Sequence, residues 1–435
     1  MSSIDVPVAL LGYGTVGAAV HRLLVESAED IERATGHRLR VVRALVRDPA
    51  KERGFAPEDD VLTTDPREIL DSPDAAVVAE VMGGVEPAGD YVLELLRAGK
   101  HVVSANKQLV ARRGAELFAA ASERGVQLRF EASVCAAIPV IKVLREALVV
   151  SNVHRVLGIV NGTTNYVLGG MADGQAYGEA LAEAQRLGYA EADPSDDVTG
   201  ADAAAKMAIL AGVAFGGRVA LEAVRADGIE HLDPGVFRAA RALDMRVKLI
   251  GEATLVDGRY DVRVGPALVD SHHPLAAVEG AYNAVMLQGD AIREITLEGP
   301  GAGGSETASA VVADMVSIVG TTGTGFLQND PAWRVLEPLD PGDHATPAYV
   351  RVEVEDRAGV LATIAHVLAE RDVSIARLVQ QPIGDAAVLH VVTHRARWDD
   401  LHGAADRLTE LAETRGPALV LPVVSDRGVA ELGWA

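Results

Sequence analysis

The stretch VPVALLGYGTVGAAVHRLL, residues 6–24, decides the fold of the first part of this chain. Its apolar run Val6–Leu11 predicts a buried strand, and helical spacing of apolar residues over Ala18–Thr35 predicts a helix. Three glycines at GxGxxG spacing lie between them, where they allow a tight turn, a close backbone approach to a pyrophosphate and close helix–strand packing. The stretch therefore predicts a dinucleotide-binding loop rather than a purely structural glycine turn. The expected cofactor contacts in this loop are Gly12, Tyr13, Gly14, Thr15, Val16 and Gly17.

Alternating strand and helix patterns continue through the first third of the chain. Apolar and β-branched runs at Leu39–Val46, Ala75–Val81 and His101–Ser104 predict three further strands. Strands that alternate with helices favour a parallel, doubly wound sheet. The predicted fold class is therefore α/β, with a Rossmann-type nucleotide-binding domain at the amino-terminal end.

The pattern changes after Phe130. Mixed strand and helix patterns with Gly-rich turns continue to about Gly304 and predict an α+β domain, and a helical run follows at Thr307–Val319. Residues 328–347 are rich in Asp, Pro and Gly without periodicity, and are predicted to form a linker. From Tyr349 onward the patterns predict a smaller βαββαβ unit. The predicted domains are 1–133 together with about 304–327, then 134–303, and finally 348–424.

The composition excludes several classes of protein. Of 435 residues, 49% are hydrophobic and 23% charged, which fits two or three globular domains and excludes disorder. The net charge of −22 repels nucleic acid and anionic membranes. The single cysteine, Cys135, excludes an intrachain disulfide and a thiolate-built zinc site. No run approaches the roughly 18 apolar residues of a membrane span, and Met1–Val8 lacks signal-peptide features, so we expect a cytoplasmic protein.

The end of the second predicted strand bears on the choice of cofactor. Arg47 and Asp48 directly follow Val46. An arginine would pair with the 2′-phosphate of NADP, whereas an aspartate would accept a hydrogen bond from the free 2′-hydroxyl of NAD. Because Arg47 comes first after the strand, the sequence favours NADP(H) over NAD(H). The alternative is that Arg47 is a solvated surface residue.

Two lysines lie in apolar surroundings. In GKHVVSANK, residues 99–107, a buried strand delivers Lys107 to the carboxyl edge of the sheet, where open α/β sheets bind ligands. In Val198–Gly217 the only ionisable side chains are Asp202 and Lys206, four residues apart and so on one helix face. The rest of that helix is apolar, which predicts burial and a lysine that donates a proton near neutral pH. The alternatives are an exposed helix start at Lys107 and a merely structural buried pair.

An acidic cluster precedes that helix. The carboxylates of Glu191, Asp193, Asp196 and Asp197 lie within seven residues. They repel one another unless a cation or water relieves them. The cation could be a substrate ammonium, Lys206 or a metal ion, although no His or Cys pattern nearby supports a transition metal. Alternatively, the acids form a solvated loop and cap the following helix.

Seven blocks of sequence together resemble the homoserine dehydrogenase family. In chain order they are GYGTVG (12–17), AEVMGG (79–84), GKHVVSANK (99–107), EASVCAAIPV (131–140), GIVNGTTNYVL (158–168), LGYAEADPSDDVTGADAAAK (187–206) and GPGAGGSETASAVVADM (299–315). The resemblance implies reversible, NAD(P)-dependent interconversion of aspartate 4-semialdehyde and homoserine, on the route to threonine, methionine and isoleucine. Two alternatives stay open. The chain could be another dehydrogenase of a small amino-acid aldehyde or amino acid, or a non-catalytic sensor of nucleotide and amino acid.

The resemblance also implies roles for individual residues. Lys206 matches the family's proton-donor lysine. The other catalytic and substrate-binding positions are Asp202, Lys107, Glu191 and Asp197. Further nucleotide contacts are expected at Gly83, Ser104, Ala105, Lys107, Gly188 and Gly303, and a sodium-like monovalent cation is expected at Glu131, Val134, Ala136 and Ile138, mostly on backbone carbonyls. Cys135, Ala136 and Ala137 depart there from the family's Gly-rich pattern, and a lost glycine alters the dihedral angles open to the loop.

The tail RVEVEDRAGVLATIAHVLAERDVSIARLVQQ, residues 351–381, is similar to an ACT domain, a small ligand-sensing module. Asp356 and Gly359 lie in the strand-to-helix turn where such domains bind an amino acid, and threonine is the natural effector by analogy. The alternative is a dimerisation module without a ligand. The resemblance makes residues 134–303 the catalytic and oligomerisation domain of a homodimer or homotetramer, with no nucleic-acid or membrane partner.

Overall fold

The computed structural model describes residues 4–58, 60–320, 334–335 and 337–424. By their packing, these residues fall into two compact units. The first lies within Met1–Gly162, Asp202–Arg225 and Tyr282–Leu336, and the second within Thr163–Ala201, Ala226–Ala281 and Glu337–Ala435. Each unit is therefore assembled from segments that are separated in sequence.

The strands and helices have the following bounds within the described residues. The strands are β1 (Ile4–Leu11), β2 (His37–Leu45), β3 (Leu62–Thr63), β4 (Val77–Glu80), β5 (His101–Ser104), β6 (Leu128–Arg129), β7 (Val153–Ile159), β8 (Gly217–Arg218), β9 (Arg225–Ala226), β10 (Met245–Val256), β11 (Arg259–Asp270), β12 (Tyr282–Gly289), β13 (Arg293–Pro300), β14 (Arg334–Val335), β15 (Glu337–Pro338), β16 (Ala345–Thr346), β17 (Ala348–Glu355), β18 (Ile375–Ile383), β19 (Ala386–Thr393), β20 (Ala396–Arg397) and β21 (Leu419–Val424). The helices are α1 (Thr15–Glu26), α2 (Ala28–Thr35), α3 (Arg67–Leu70), α4 (Ala88–Arg97), α5 (Lys107–Arg124), α6 (Val140–Lys142), α7 (Gly162–Ala172), α8 (Tyr177–Arg186), α9 (Ser195–Val198), α10 (Ala201–Phe215), α11 (Pro234–Ala242), α12 (Gly304–Gly320), α13 (Val360–Ala369) and α14 (Trp398–Thr409).

Six parallel strands form the sheet of the nucleotide-binding region. Their order is β3-β2-β1-β4-β5-β6. The order reverses between β1 and β4, and such a switch point is where doubly wound sheets bind their ligands. Val8, Leu10 and Leu11 of β1 are fully buried, as strands between two helical layers must be. The predicted parallel, doubly wound sheet is confirmed.

The helix predicted over Ala18–Thr35 is in fact two helices, α1 and α2, so this part of the prediction was wrong. Ser27 separates them with φ −101° and ψ 12°, outside the helical range. Its carbonyl accepts a hydrogen bond from Ile31 N at 3.0 Å, which begins the second helix. Apolar spacing alone does not show such a break, because the apolar stripe continues across it.

Helix α12 packs into the core of the nucleotide-binding region. Its residues Val311, Met315 and Ile318 belong to the same apolar cluster as Leu10 of β1. The helical run predicted at Thr307–Val319 is therefore present. Residues 321–327, the end of the predicted nucleotide-binding segment, and residues 328–333 of the predicted linker lie outside the described part of the chain. The domain boundaries stay a prediction.

Three antiparallel strands of the first unit form a second sheet segment, in the order β13-β12-β7. Ala284–Leu287 of the middle strand β12 are fully buried. Strand β7 pairs with β12 from Val153 to Ile159. Its carboxyl end therefore presents Val160 and Asn161 from a fixed position.

In the second unit the tail forms the predicted βαββαβ arrangement. Strands β17, β18, β19 and β21 form the sheet in the order β21-β17-β19-β18. Helices α13 and α14 contribute Ile364 and Leu401 to its apolar core. Strand β21 also pairs in parallel with β11, through Leu268 and Val269. The tail sheet thus continues into the long β10–β11 hairpin, whose strands pair over twelve positions.

The described part of the predicted linker is more ordered than its composition indicates. Strand β15 pairs with Arg259 and Tyr260, and β16 pairs with β20. His344 Nδ1 lies 3.0 Å from Asp261 Oδ2, and both side chains are buried. Two-residue strands carry no periodic pattern, so the sequence could not show these contacts.

Within the described ranges, no helix combines the length and apolar character that crossing a membrane requires.

Candidate active site

The glycine-rich loop after β1 leaves room for a ligand at its backbone. Gly12 has φ +110°, and a Cβ there would lie 2.9 Å from the carbonyl oxygen of Val81. A Cβ at Gly17 would collide with the carbonyl oxygen of Gly12. By contrast, no described atom lies within 4 Å of a Cβ built at Gly14, which caps the start of α1. Two glycines are needed for packing, and the third leaves the helix N-terminus open, as a pyrophosphate requires.

Neighbouring groups position the rest of this loop. The Tyr13 hydroxyl lies 2.7 Å from His21 Nδ1 and is buried, which raises the pKa of Tyr13 to about 12. Tyr13 can therefore meet a ligand only through its backbone. Thr15 Cγ2 lies 2.8 Å from the position of a Cβ on Gly304. The structure thus brings the turn that contains Gly303 against the loop.

The segment after β2 presents an exposed arginine. Arg47 is exposed and makes no hydrogen bond or ion pair with the part of the chain that is described. The Asp48 carboxylate, in contrast, accepts a hydrogen bond from Ala50 N at 2.9 Å. Arg53 fixes this segment to the glycine-rich loop, because its Nε donates to Tyr13 O at 3.1 Å. Arg47 is therefore available to a ligand, whereas the Asp48 carboxylate is already hydrogen-bonded within its own turn.

The ends of β4 and β5 carry the other predicted nucleotide contacts of this unit. Gly83 follows β4 with φ +75°, and a Cβ there would meet open space. Ser104 is fully buried, and its hydroxyl donates to Glu80 Oε2 at 2.7 Å. Ala105 N donates to Glu80 O at 3.0 Å. The Ser104 hydroxyl is thus engaged inside the protein, and its partner Glu80 is a residue that the sequence reasoning missed.

Lys107, Asp202 and Lys206 meet in one cluster. Lys107 Nζ lies 2.7 Å from Asp202 Oδ1, and Lys206 Nζ lies 2.9 Å from Asp202 Oδ2. The Asp202 side chain is 5% exposed, that of Lys206 11% and that of Lys107 36%. Burial alone would raise the pKa of Asp202, but the two ammonium groups outweigh burial and hold this pKa well below its usual range. The carboxylate therefore stays ionised between two lysines that are far apart in sequence.

Two polar groups that the sequence reasoning missed complete this lysine cluster. Val160 O accepts a hydrogen bond from Lys206 Nζ at 2.8 Å. Asn161 Nδ2 donates to Asp202 Oδ2 at 2.9 Å. Helix α10 is buried along nearly its whole length, as predicted. The available signal was the apolar strand β7, which ends at Ile159 just before Val160 and Asn161, a strand end of the same kind that delivers Lys107.

The predicted acidic segment lies in the second unit. Glu191 is exposed, and Asp197 is half-buried in the first turn of α9. Asp193 Oδ1 accepts from Ser195 N at 3.1 Å, and hydrogen bonds from Ser195 lower the pKa of Asp193. Gly188 has φ +79°, with open space where a Cβ would lie. Asp193 thus stabilises the turn before α9, while the Glu191 carboxylate is accessible to a ligand.

Glu131 stands at the start of the predicted cation loop. Its carboxylate accepts hydrogen bonds from Ile141 N at 2.7 Å and Lys142 N at 2.8 Å, and so caps the short helix α6. Burial, together with the Asp314 carboxylate, raises the pKa of Glu131 to about 7. A cation beside this carboxylate would lower that pKa again, because an opposite charge favours the ionised form.

Backbone carbonyls of the same loop provide the other expected cation ligands. Ile138 O accepts from Val140 N at 2.8 Å, whereas the carbonyls of Val134 and Ala136 accept no hydrogen bond from the described residues. Ala136 has φ +42°, a left-handed conformation that costs a non-glycine residue about 1–2 kcal/mol. The left-handed turn is therefore kept without glycine, and two carbonyl oxygens fit a hard cation.

The predicted effector turn lies between β17 and α13. Gly359 has φ +93° and caps α13, a conformation that favours glycine. The Asp356 carboxylate is exposed and accepts from Gln380 Nε2 at 3.2 Å. The turn thus exposes a carboxylate beside the start of a helix.

Comparison with known proteins places this chain in a family. A homoserine dehydrogenase of Bacillus subtilis is 38% identical over 437 residues, covering 98% of this chain and 99% of the relative. The chain belongs to the homoserine dehydrogenase family. Family models agree: one for homoserine dehydrogenase matches residues 139–316, one for its NAD-binding domain matches 12–131, and one for the ACT domain matches 348–413.

Solved structures of the homoserine dehydrogenase family have the same fold. A homoserine dehydrogenase from Thiobacillus denitrificans has 38% identity and a TM-score of 0.91, covering 98% of this chain and 99% of its own. A hyperthermophilic archaeal homoserine dehydrogenase in complex with NADPH has 29% identity and a TM-score of 0.62, covering 72% and 98%. The chain is thus an oxidoreductase with a nicotinamide-nucleotide domain and an ACT domain.

Proposed function

We propose that this chain catalyses the reversible, NADP(H)-dependent reduction of L-aspartate 4-semialdehyde to L-homoserine, with Lys206 as proton donor and acceptor. The observation that carries the assignment of roles is the Asp202 carboxylate between Lys107 Nζ at 2.7 Å and Lys206 Nζ at 2.9 Å. A proton donor must be mobile yet oriented, and Asp202 with Val160 O orients the Lys206 ammonium.

The chain's own residues divide the work of the reaction. The nicotinamide cofactor, when bound, supplies the hydride in reduction and accepts it in oxidation. Lys206 gives a proton to the substrate carbonyl oxygen in reduction and takes it back in oxidation, while Lys107 positions that oxygen and stabilises its charge. Asp202 holds both ammonium groups. Glu191 and Asp197 pair with the substrate's α-ammonium.

The predicted cofactor contacts are assigned on the same basis. The open helix N-terminus at Gly14 takes the pyrophosphate, and the neighbouring Gly83, Ser104, Ala105 and Gly303 border the rest of the nucleotide. Gly188, in the second unit, is assigned by resemblance. Arg47 takes the 2′-phosphate, supported by its exposure and by the engagement of Asp48 within its own turn.

The remaining assignments concern the cation, the tail and the assembly. A sodium-like ion is held by Glu131 and the carbonyls of Val134, Ala136 and Ile138. The tail binds threonine at Asp356 and Gly359. The active form is a homodimer or homotetramer in the cytoplasm. The domain limits are those predicted: 1–133 with about 304–327, 134–303, the linker 328–347, and 348–424.

The direct test of the activity is a cofactor assay. Purified full-length chain is mixed with L-homoserine and either NADP or NAD in a buffer that contains sodium, and the nicotinamide absorbance is followed. We expect reduction of both cofactors, with the higher kcat/KM for NADP. Binding without any reduction would contradict the proposal and favour the nucleotide and amino-acid sensor. Turnover with another small amino-acid substrate alone would favour the other dehydrogenase.

We predict that Arg47→Ala raises the KM for NADP at least about tenfold and leaves the KM for NAD within about twofold. A lost charge-assisted hydrogen bond to phosphate is worth roughly 1.5–3 kcal/mol, and about 1.4 kcal/mol is a factor of ten. The measurement is steady-state kinetics with each cofactor. Arg40→Ala, which changes an exposed arginine of the preceding strand β2, is the control. Equal changes for both cofactors, or none, would leave Arg47 as a surface residue.

We predict that Asp356→Ala abolishes inhibition by threonine and keeps kcat within about twofold of the wild type. The variant removes only an exposed carboxylate of the effector turn. A truncation is less informative, because loss of β21 would uncover β11 of the hairpin. Threonine dose–response curves provide the measurement, with the exposed Asp406→Ala of α14 as control. Inhibition that persists in Asp356→Ala would place the effector site elsewhere.

A further inference from the structure

Glu80 is an unusual residue for the place it occupies. It is the last residue of β4, 0% exposed, and no lysine or arginine among the described residues forms an ion pair with it. Burial raises the pKa of this carboxyl group. A buried carboxyl group without a counter-ion destabilises a fold unless hydrogen bonds compensate. At this strand end, beside the cofactor loop, the Glu80 carboxyl group therefore depends on hydrogen bonds for its stability.

Hydrogen bonds to Glu80 join the two segments that follow β4 and β5. Glu80 Oε1 accepts from Met82 N at 2.9 Å and Gly83 N at 3.3 Å, both in the segment after β4. Oε2 accepts from the Ser104 hydroxyl at 2.7 Å, and Oε1 also accepts from Asn106 Nδ2 at 3.4 Å, after β5. One side chain thus fixes the relative position of two segments at the ligand-binding edge of the sheet.

The second of these segments leads directly to the lysine cluster. Asn106 caps α5 by accepting from Leu109 N at 3.1 Å, and its own N–H donates to the Ser104 hydroxyl oxygen at 3.1 Å. Lys107 is the first residue of α5. A displacement of Asn106 would therefore displace the backbone of Lys107, whose ammonium must reach Asp202.

We propose that Glu80 is a positioning residue for the homoserine dehydrogenase reaction: by tying Met82–Gly83 to Ser104–Asn106, it sets Lys107 against the reacting oxygen. The inference rests on the role of Lys107 given under the proposed function. It follows from geometry, since small misplacements of a positioning group lower the rate by about 10- to 100-fold.

The hydrogen-bond pattern also indicates which substitution of Glu80 should keep the turnover near that of the wild type. Glutamine keeps the length of the side chain, its Oε1 can accept from Met82 N and Gly83 N, and its Nε2 can donate to the Ser104 oxygen, which has two acceptor lone pairs. Because no lysine or arginine in the described part of the chain pairs with Glu80, loss of its negative charge leaves no described ammonium or guanidinium group without its partner. Alanine leaves all these donors without an acceptor.

The experiment compares Glu80→Gln and Glu80→Ala in the full-length chain, with Glu123→Ala, an exposed glutamate of α5, as control. Circular dichroism checks the fold, and kcat and the KM for homoserine are measured. We expect Glu80→Ala to lower kcat at least about tenfold with a KM near the wild-type value, and Glu80→Gln to recover kcat to within about twofold. Unchanged kcat in Glu80→Ala, or a Glu80→Gln variant as slow as Glu80→Ala, would overturn the proposal.

A double-mutant cycle with Lys107→Met separates positioning from general damage. In the Lys107→Met background, adding Glu80→Ala should lower kcat by no more than about twofold. If Glu80→Ala lowers kcat as much in this background as in the wild type, the inference is overturned. If Glu80→Ala does not fold, Ser104→Ala decides, because it removes the Oε2 partner. A lowered kcat with an unchanged dissociation constant for the cofactor supports the inference, and any other result overturns it. A wild type without homoserine turnover would remove the proposed function and the inference together, whereas an active wild type with an unaffected Glu80→Ala removes the inference alone.

Discussion

Replacing Lys206 with alanine is expected to lower the turnover of homoserine by at least about 100-fold, the low end of what general acid–base catalysis contributes. Lys206 Nζ is held by Asp202 at 2.9 Å and by Val160 O at 2.8 Å, on a helix that is buried on nearly all sides. The affinity for the cofactor should change little, because the removed group acts on the substrate oxygen.

A second variant separates the charge of Lys206 from its proton. Lys206→Arg keeps a positive charge but does not release a proton at accessible pH. We expect it to be as slow as Lys206→Ala in homoserine oxidation. The measurement is kcat for both variants, with the dissociation constant of the cofactor from a binding titration, and the exposed Lys51→Ala as control. Turnover near the wild-type value in either variant would remove Lys206 from proton transfer.

The second large effect is expected for Asp202→Asn. This change leaves the ammonium groups of Lys107 and Lys206 without their counter-charge and sets the new amide against the Asn161 Nδ2 donor. Breaking a buried ion pair costs roughly 3–5 kcal/mol, and we expect about 3 because Lys107 is partly exposed. Turnover should also fall at least about tenfold, since neither lysine is then oriented.

Urea unfolding of wild type and Asp202→Asn measures this loss of stability, and its pH dependence has a definite sign. Asp202 has a depressed pKa in the folded chain, so its contribution is fully present above its unfolded pKa of about 4 and is lost as pH falls toward the folded value. The difference between the two proteins should therefore be constant near neutral pH and shrink below about pH 4. The exposed Asp74→Asn is the control. Equal stability of the two proteins at pH 7 would contradict the ion-pair cluster.

The features that the sequence predicts well are those with a repeating or local signal. The apolar run at Val6–Leu11, the glycine spacing and the alternation of strands with helices indicate the doubly wound sheet, which is observed. The apolar helix around Asp202 and Lys206 indicates burial of both side chains, and they are 5% and 11% exposed. Such patterns can be recognised because the type of residue at each position depends on whether that position is buried or exposed.

The features that the sequence does not predict are contacts between distant segments. The pairing of Lys107 with Asp202 depends on how two helices meet, and no local pattern encodes that distance. Glu80 ends an apolar strand and is indistinguishable, in one sequence, from a solvated strand end. The same holds for Asn161, whose amide reaches Asp202 only after β7 has found its place in its sheet.

Only six of the 40 basic residues of this chain are lysines, and a lysine in so arginine-rich a chain is by itself a weak indicator of a functional site. Lys100 is buried and donates to Ile69 O at 2.9 Å, and burial lowers its pKa. Lys248 is also buried and donates to Asn165 Oδ1 at 3.1 Å. Both serve the protein interior, where a compact ammonium group suits backbone and amide oxygens. Some lysines of this chain thus hold buried structural positions, and only the surrounding groups show whether a lysine is catalytic.

The most direct test of the account is the pH dependence of kcat/KM for homoserine oxidation, measured in the wild type and in Lys206→Ala. In oxidation Lys206 must accept a proton, so activity of the wild type should rise with pH from neutral to alkaline. Asp202 does not cause this rise, because its depressed pKa keeps it ionised throughout that range. We expect a rising arm in the wild type and its absence in Lys206→Ala. A flat wild-type profile, or the same rise in the variant, would contradict the central role of Lys206.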